Sequence, residues 1–155
     1  MRRFLAFLVF LLSAVAPQLC LGQDVLAAHK GNALKGLRSV AVVIRHNTPR
    51  EVASLKELRD MVEVGLHQKV PDLMVSDTIK SSDWFELNII TTDAGAFVEI
   101  GLYRWVRVLA SGEEVFAKVW SDSRASFGPV SKQNLQEALD SLLTSFAADY
   151  LRSKR

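Results

Sequence analysis

Residues 84–120, WFELNIITTDAGAFVEIGLYRWVRVLASGEEVFAKVW, carry the main strand signals of this sequence. This stretch divides into three segments rich in β-branched and aromatic residues, at about 84–92, 96–109 and 115–121. The connections 93–95 and 110–114 have the length and composition of hairpin turns. The stretch therefore predicts an antiparallel meander of three strands.

Alternation along these strands assigns their side chains to two faces. Val98, Ile100 and Leu102 share one face of the central strand and predict the side that helices cover. The opposite face would collect bulky rings interleaved with the charged residues Glu86, Glu99, Arg107 and Lys118. The candidate partner-binding residues on this face are Trp84, Phe97, Tyr103, Trp105, Arg107, Phe116 and Trp120.

Two interpretations of this predicted aromatic face remain open. In the structural one, aromatic residues simply favour strands and pair across them, with charged neighbours or residues 23–36 lying over the rings. In the functional one, the face is a partner surface, because Trp and Tyr carry interface energy more often than other residues.

The flanking sequence predicts further strands and two helices. Residues 37–45 and 73–77 have the composition of strands. A helix is predicted from a Thr48 cap with Pro49 and Glu51 behind it, and must end before Pro71. Its apolar stripe is Val52, Leu55, Leu58, Val62 and Leu66. A second helix is predicted after a Ser131 cap, with the stripe Leu135, Leu139, Leu142, Phe146 and Tyr150.

Together these elements predict an α+β fold in the order βαββββα, or βαβ followed by βββα. Each helix has one apolar stripe to bury, so the economical arrangement is one mostly antiparallel sheet of about five strands with both helices on the same face. Residues 37–155 would form this single domain, preceded by a lead segment at 23–36 that is flexible or a short helix.

Residues 1–22, MRRFLAFLVFLLSAVAPQLCLG, have the features of a secretory signal peptide. Two arginines precede an apolar run that Pro17 ends too early for a membrane-spanning helix. The expected location is periplasmic or secreted. The alternative is an outer-membrane lipoprotein anchored through Cys20, and membrane contact is expected only in that case, although Gln18 and Leu19 differ from the small residues of lipoprotein signals.

Charge and motifs argue against several functions. Removal of Arg2 and Arg3 reduces the 19 basic side chains to 17, equal to the 17 acidic ones, so a nucleic-acid partner is not expected. His29, His46 and His67 lack the spacing of metal ligands, and no nucleophile motif occurs. We therefore expect no catalytic residues, metal or cofactor.

Polar residues leave one enzymatic alternative. His46 follows the first strand, and the cluster Ser121, Asp122, Ser123 and Arg124 is expected in a loop after the last strand. Asp83, Glu86 and Glu99 could pair as carboxylates, although such acids more often pair with Arg or Lys. A small envelope enzyme, or a subunit of one, would have to use loop residues such as these.

The element order over residues 37–151 resembles that of small envelope domains of Gram-negative bacteria. These are the N-terminal domain of the Tol-system propeller protein, lipopolysaccharide-assembly lipoproteins and auxiliary components of lipid transporters. The segments VWSDSRASFG and LLTSFAADYL also resemble the tail of secreted bacterial proteins of unassigned activity. The resemblance implies a non-catalytic accessory role and transfers no functional residue.

The sequence thus predicts a non-enzymatic envelope protein that docks an envelope partner, or a second copy of itself, through the predicted aromatic face. Binding of a lipid or a small apolar ligand between the helices and the sheet is the alternative within the binding class.

Overall fold

The computed structural model describes residues 32–47, 52–76 and 83–155. The predicted signal peptide and most of the lead segment lie outside these residues. Five strands and two long helices follow one another along the chain: β1 (Ser39–Asn47), α1 (Leu55–Lys69), β2 (Met74–Ser76), β3 (Trp84–Thr92), β4 (Gly95–Arg107), β5 (Glu114–Phe127) and α2 (Lys132–Ser153). This is the predicted α+β fold in the order βαββββα.

The strands form one mixed sheet in the order β2-β1-β3-β4-β5. β3, β4 and β5 make the predicted antiparallel meander. β1 pairs in parallel with both β2 and β3, and α1 provides the crossover between β1 and β2. Both helices pack on the same face of the sheet, as predicted from their single apolar stripes.

The core lies between the helices and this face. Phe85 of β3 meets Phe146 of α2 edge to face, with 5.0 Å between the ring centroids. All five predicted stripe residues of α2 are buried, and its N-cap is Ser131, as predicted. Leu34, which precedes the predicted domain start at residue 37, is fully buried in the same core.

The first helix begins later than the sequence prediction. Its N-cap is Ser54, whose hydroxyl accepts a hydrogen bond from the backbone N–H of Glu57, while the Glu57 carboxylate accepts one from the Ser54 backbone. This Ser-x-x-Glu capping box was the correct start signal. The predicted start, residues 48–51, lies outside the described residues. Leu55 is exposed, whereas Leu58, Val62 and Leu66 are buried as expected.

A β-bulge changes the facing of β5. Leu102 of β4 pairs with Trp120, but the next residue, Tyr103, pairs with Lys118, so Val119 is an extra residue on β5. One extra residue reverses the side to which every subsequent side chain points. Strict alternation predicted that Phe116 and Trp120 share a face. That prediction is wrong, because the side chains of β5 after Val119 point to the opposite side from the one it assigns.

Candidate binding surface

No described helix packs on the second face of the sheet, which we call the outer face. Four of the predicted rings meet there, and we call this set the aromatic patch: Trp84, Tyr103, Trp105 and Phe116. Phe116 lies at its centre, with ring-centroid distances of 4.8 Å to Trp84, 5.9 Å to Tyr103 and 5.5 Å to Trp105. Cross-strand register brings them together, because Trp84 pairs with Tyr103 and Trp105 pairs with Phe116.

Trp105 is the most exposed ring of the patch, at 59%, although it contacts Phe116. It lies near the end of β4, where the β4–β5 hairpin turns. The turn adds exposed aliphatic side chains: Leu109 is 99% exposed, and Val108 and Val115 are also exposed. An indole contributes up to ~250 Å² of surface, so Trp105 alone presents roughly 150 Å². Apolar surface is thus concentrated at this end of the hairpin.

Charged side chains bound the patch along the strands. Lys118 donates to the Glu99 carboxylate at 2.8 Å, and its ammonium lies 5.5 Å from the centre of the Tyr103 ring. The Tyr103 hydroxyl donates to Glu86 at 3.3 Å, and Arg45 pairs with the same carboxylate at 2.8 Å. This charged band crosses the outer face from β1 to β5 and separates the patch from the rest of the sheet.

Two opposing effects act on Lys118. Partial burial, the largest single effect, disfavours its charged form, but the hydrogen bond and the negative charge of Glu99 together outweigh it and raise the pKa of Lys118. Gly101 leaves room for this arrangement, because an added Cβ would lie 3.3 Å from the Lys118 side chain. Lys118 therefore stays charged at neutral pH.

Two of the seven predicted residues lie outside the patch but on the outer face. Arg107 pairs with Glu114 across the hairpin at 3.5 Å, and both side chains are about two-thirds exposed. Phe97 pairs with Ile90 on the far side of the charged band and is 37% exposed. Eight residues separate Phe97 from Trp105 on β4, about 27 Å at ~3.4 Å per residue. Phe97 therefore belongs to a different part of the sheet.

The seventh predicted residue, Trp120, is not on the outer face, and its prediction as a partner-binding residue is wrong. It is 2% exposed and meets Phe146 of α2 edge to face at 5.2 Å. Its indole N–H donates to the buried carboxylate of Asp149 at 3.0 Å. The bulge at Val119 turns this side chain toward the helices, so no partner on the outer face can contact it.

Sequence reasoning missed Glu114, Leu109 and Val115, which are exposed at the same end of the β4–β5 hairpin as Trp105. Glu114 could have been found, because the alternation that selected Phe116 also places Glu114 on the outer face. Val115 lies on the opposite side of the strand and is exposed because the hairpin end is sparsely covered there. That exposure depends on packing and leaves no local signal in the sequence.

The acids considered for catalysis are paired with cations. Asp83 binds Arg104 at 3.1 Å, Glu86 binds Arg45, and Glu99 binds Lys118. The described residues contain no group of three or more His, Cys, Asp and Glu that could hold a metal ion. This arrangement is the ordinary pairing of acids with Arg and Lys.

The polar cluster predicted in a loop lies instead within β5. Asp122 accepts hydrogen bonds from the backbone N–H of Ser123 and from the Arg124 guanidinium. Arg124 also donates to Ser141 of α2 at 3.4 Å. His46 lies at the end of β1, His67 lies exposed on α1, and His29 lies outside the described residues.

The space predicted for an apolar ligand, between helices and sheet, is filled in the described structure by buried side chains such as Leu87, Leu139 and Leu142. A groove of about 800 Å³ lies instead between α1 and α2, and its lining mixes Gln, Glu and Asp side chains with the apolar side chains of Met61, Val64, Leu139 and Leu143.

Within the described residues, neither helix combines the length and hydropathy needed to cross a membrane.

No protein-family model matches this chain, and no curated protein matches it in sequence. Among solved structures it is similar to the PelC dodecamer from Paraburkholderia phytofirmans, with 16% identity, 74% of this chain and 88% of that chain covered, and a TM-score of 0.40. The hypothetical protein CT253 from Chlamydia trachomatis has 10% identity, 73% and 93% coverage, and a TM-score of 0.39. A minor lipoprotein from Acinetobacter baumannii has 12% identity, 77% and 95% coverage, and a TM-score of 0.28. Likeness at this level does not decide a function.

Proposed function

We propose that this chain is a non-catalytic binding domain that docks a protein partner through the aromatic patch. The observation that carries this proposal is Trp105, which is 59% exposed while it packs on Phe116. Exposed indole surface of this size is costly in water unless a partner covers it. Trp and Tyr surrounded by charged residues also match the core and rim of known protein interfaces.

The patch is suited to docking because it is held rigidly before binding. Its four rings stand on three paired strands and contact one another around Phe116. A surface ordered in advance loses less conformational entropy on association than a loop does. The charged band on one side limits the contact to the hairpin end of the sheet.

The non-catalytic part of the proposal rests on the pairing of the candidate acids. Asp83, Glu86 and Glu99 each bind a cation, and their chemistry is that of structural ion pairs. For location, we propose the periplasm or the exterior of a bacterial cell, because residues 1–22 have the features of a signal peptide. Lipid attachment at Cys20 is the alternative mode of retention.

A photoreactive phenylalanine analogue at position 105 tests the docking proposal in cells. The matched control places the same analogue at Phe127, which is 93% exposed at the other end of the outer face. Protein adducts formed from position 105 and absent from position 127 support the proposal. Absence of adducts from position 105, or equal adducts from both positions, overturns it.

A further inference from the structure

The outer-facing side chains at the hairpin end form three consecutive cross-strand pairs. Tyr103 faces Lys118, Trp105 faces Phe116, and Arg107 faces Glu114. Each pair is chemically complementary: an ammonium beside a ring, two rings in contact, and a cation with an anion. All three pairs have one member on β4 and one on β5.

This pattern makes the surface complementary to itself. Consider a second copy laid face to face on the first, related by a two-fold axis that runs parallel to β4 and β5 and midway between them. The rotation exchanges the two strands, so Trp105 comes over the Phe116 of the second copy and Arg107 comes over its Glu114. Tyr103 likewise comes over Lys118. Every contact then joins groups that attract, as an isologous interface requires.

We propose that two copies of this chain associate through the hairpin end of the outer face as a two-fold symmetric dimer. The inference rests on the proposed docking function and identifies its partner as a second copy. Face-to-face packing of sheets with nearly aligned strands is a common arrangement, and it brings side chains of the two layers into contact across ~10 Å.

The size of the surface determines the strength of this dimer. Trp105 contributes roughly 150 Å², and the charged band of Lys118, Glu99 and Glu86 limits the apolar area beyond it. A standard interface buries about 800 Å² on each partner. The hairpin end falls below that area, so the dimer is expected to be reversible, with dissociation in the micromolar range.

Sedimentation equilibrium of the purified exported protein between about 1 and 500 µM tests the proposal. We expect a reversible dimer for the wild-type protein. Trp105→Ser should raise its dissociation constant at least ~30-fold, which is the effect of losing an interface hot spot. Phe127→Ser removes an exposed ring outside the proposed contact and should dimerise like the wild type. A wild-type protein that stays monomeric, or that dimerises equally well with Trp105→Ser, overturns the proposal.

A charge exchange tests the axis itself. Arg107→Glu alone and Glu114→Arg alone should each abolish dimerisation, because each opposes like charges across the axis. A mixture of these two variants should form a heterodimer, because both charge contacts are then restored. A mixture that associates no better than either variant alone overturns the proposed axis. Circular dichroism establishes that each variant is folded.

The two proposals fail in different ways. If the wild-type protein is monomeric but the analogue at position 105 forms adducts with a different protein, the dimer is wrong and the docking function stands. If the protein is monomeric and position 105 forms no adducts, both are wrong. If adducts have the mass of two copies of this chain, both are supported.

Discussion

Replacement of Trp120 by alanine should lower the free energy of unfolding by about 3–5 kcal/mol, the usual cost of truncating a buried Trp or Phe. The same replacement at Trp105 should cost less than ~1 kcal/mol, as surface substitutions do. Strict alternation places the two indoles on the same face, whereas the bulge at Val119 places one in the core and one outside. The pair of variants therefore tests the bulge directly.

The magnitude follows from what Trp120 contacts. Its side chain is 2% exposed, and full burial of ~200–250 Å² at about 25 cal/mol per Å² corresponds to an upper limit of ~5–6 kcal/mol. Its N–H donates to the Asp149 carboxylate at 3.0 Å, a bond to a charged group worth about 1.5–3 kcal/mol. Trp120→Phe keeps a ring against Phe146 but loses this bond, so an intermediate loss of ~2–3 kcal/mol is expected.

Urea unfolding, followed by far-ultraviolet circular dichroism, measures these differences. A protein concentration of about 1 µM, at the low end of the range in which the proposed dimer forms, limits the contribution of association to the apparent stability. The expected order of stability is wild type and Trp105→Ala close together, then Trp120→Phe, then Trp120→Ala. Equal losses for the two alanine variants would refute the assignment of Trp120 to the core.

Three further predictions concern the helix cap, the β3–β4 turn and the first described residues. Hydrogen bonds from Lys132 and from the backbone of Ser54 lower the pKa of Glu57 from 4.5 to about 2. The Glu57 carboxylate therefore adds to the free energy of unfolding above pH 4.5, and this contribution is lost as the pH falls toward 2. Glu57→Gln should therefore be less stable than the wild type at pH 7 and equally stable near pH 2 in urea unfolding; a difference independent of pH would contradict this. Gly95→Ala should cost about 1–3 kcal/mol, because its Cβ would collide with the Ser126 carbonyl oxygen of β5. Gly101→Ala would meet only side-chain atoms, with the movable Lys118 stem nearest and the Tyr103 ring at ordinary contact distance, so thermal melting should separate the two variants. Arg104→Met should cost about 2–3 kcal/mol and speed amide exchange of residues 33–37, because Arg104 binds Asp83 and donates to the carbonyls of Ala33 and Lys35; unchanged exchange would show that these bonds do not hold the segment.

Part of the candidate surface could be predicted from the sequence because the relevant signal is local. Trp84, Tyr103, Trp105 and Phe116 lie on strands whose alternation is uninterrupted up to Val119, so a period of two places them correctly. The exposed turn residue Leu109 could not be selected in this way. Its 99% exposure reflects how far the hairpin extends beyond its neighbours, which depends on tertiary packing.

Signals that lie within a few residues of one another predict the meander, the Ser131 cap and the buried stripe of α2. The parallel pairing of β1 with β3 and the position of Trp120 in the core depend instead on contacts between distant parts of the chain. Strand pairing joins residues distant in the chain, and the bulge exists only as a mismatch between two paired strands. Because one extra residue reverses a strand's facing, no pattern along β5 alone could show which indole the helices would cover.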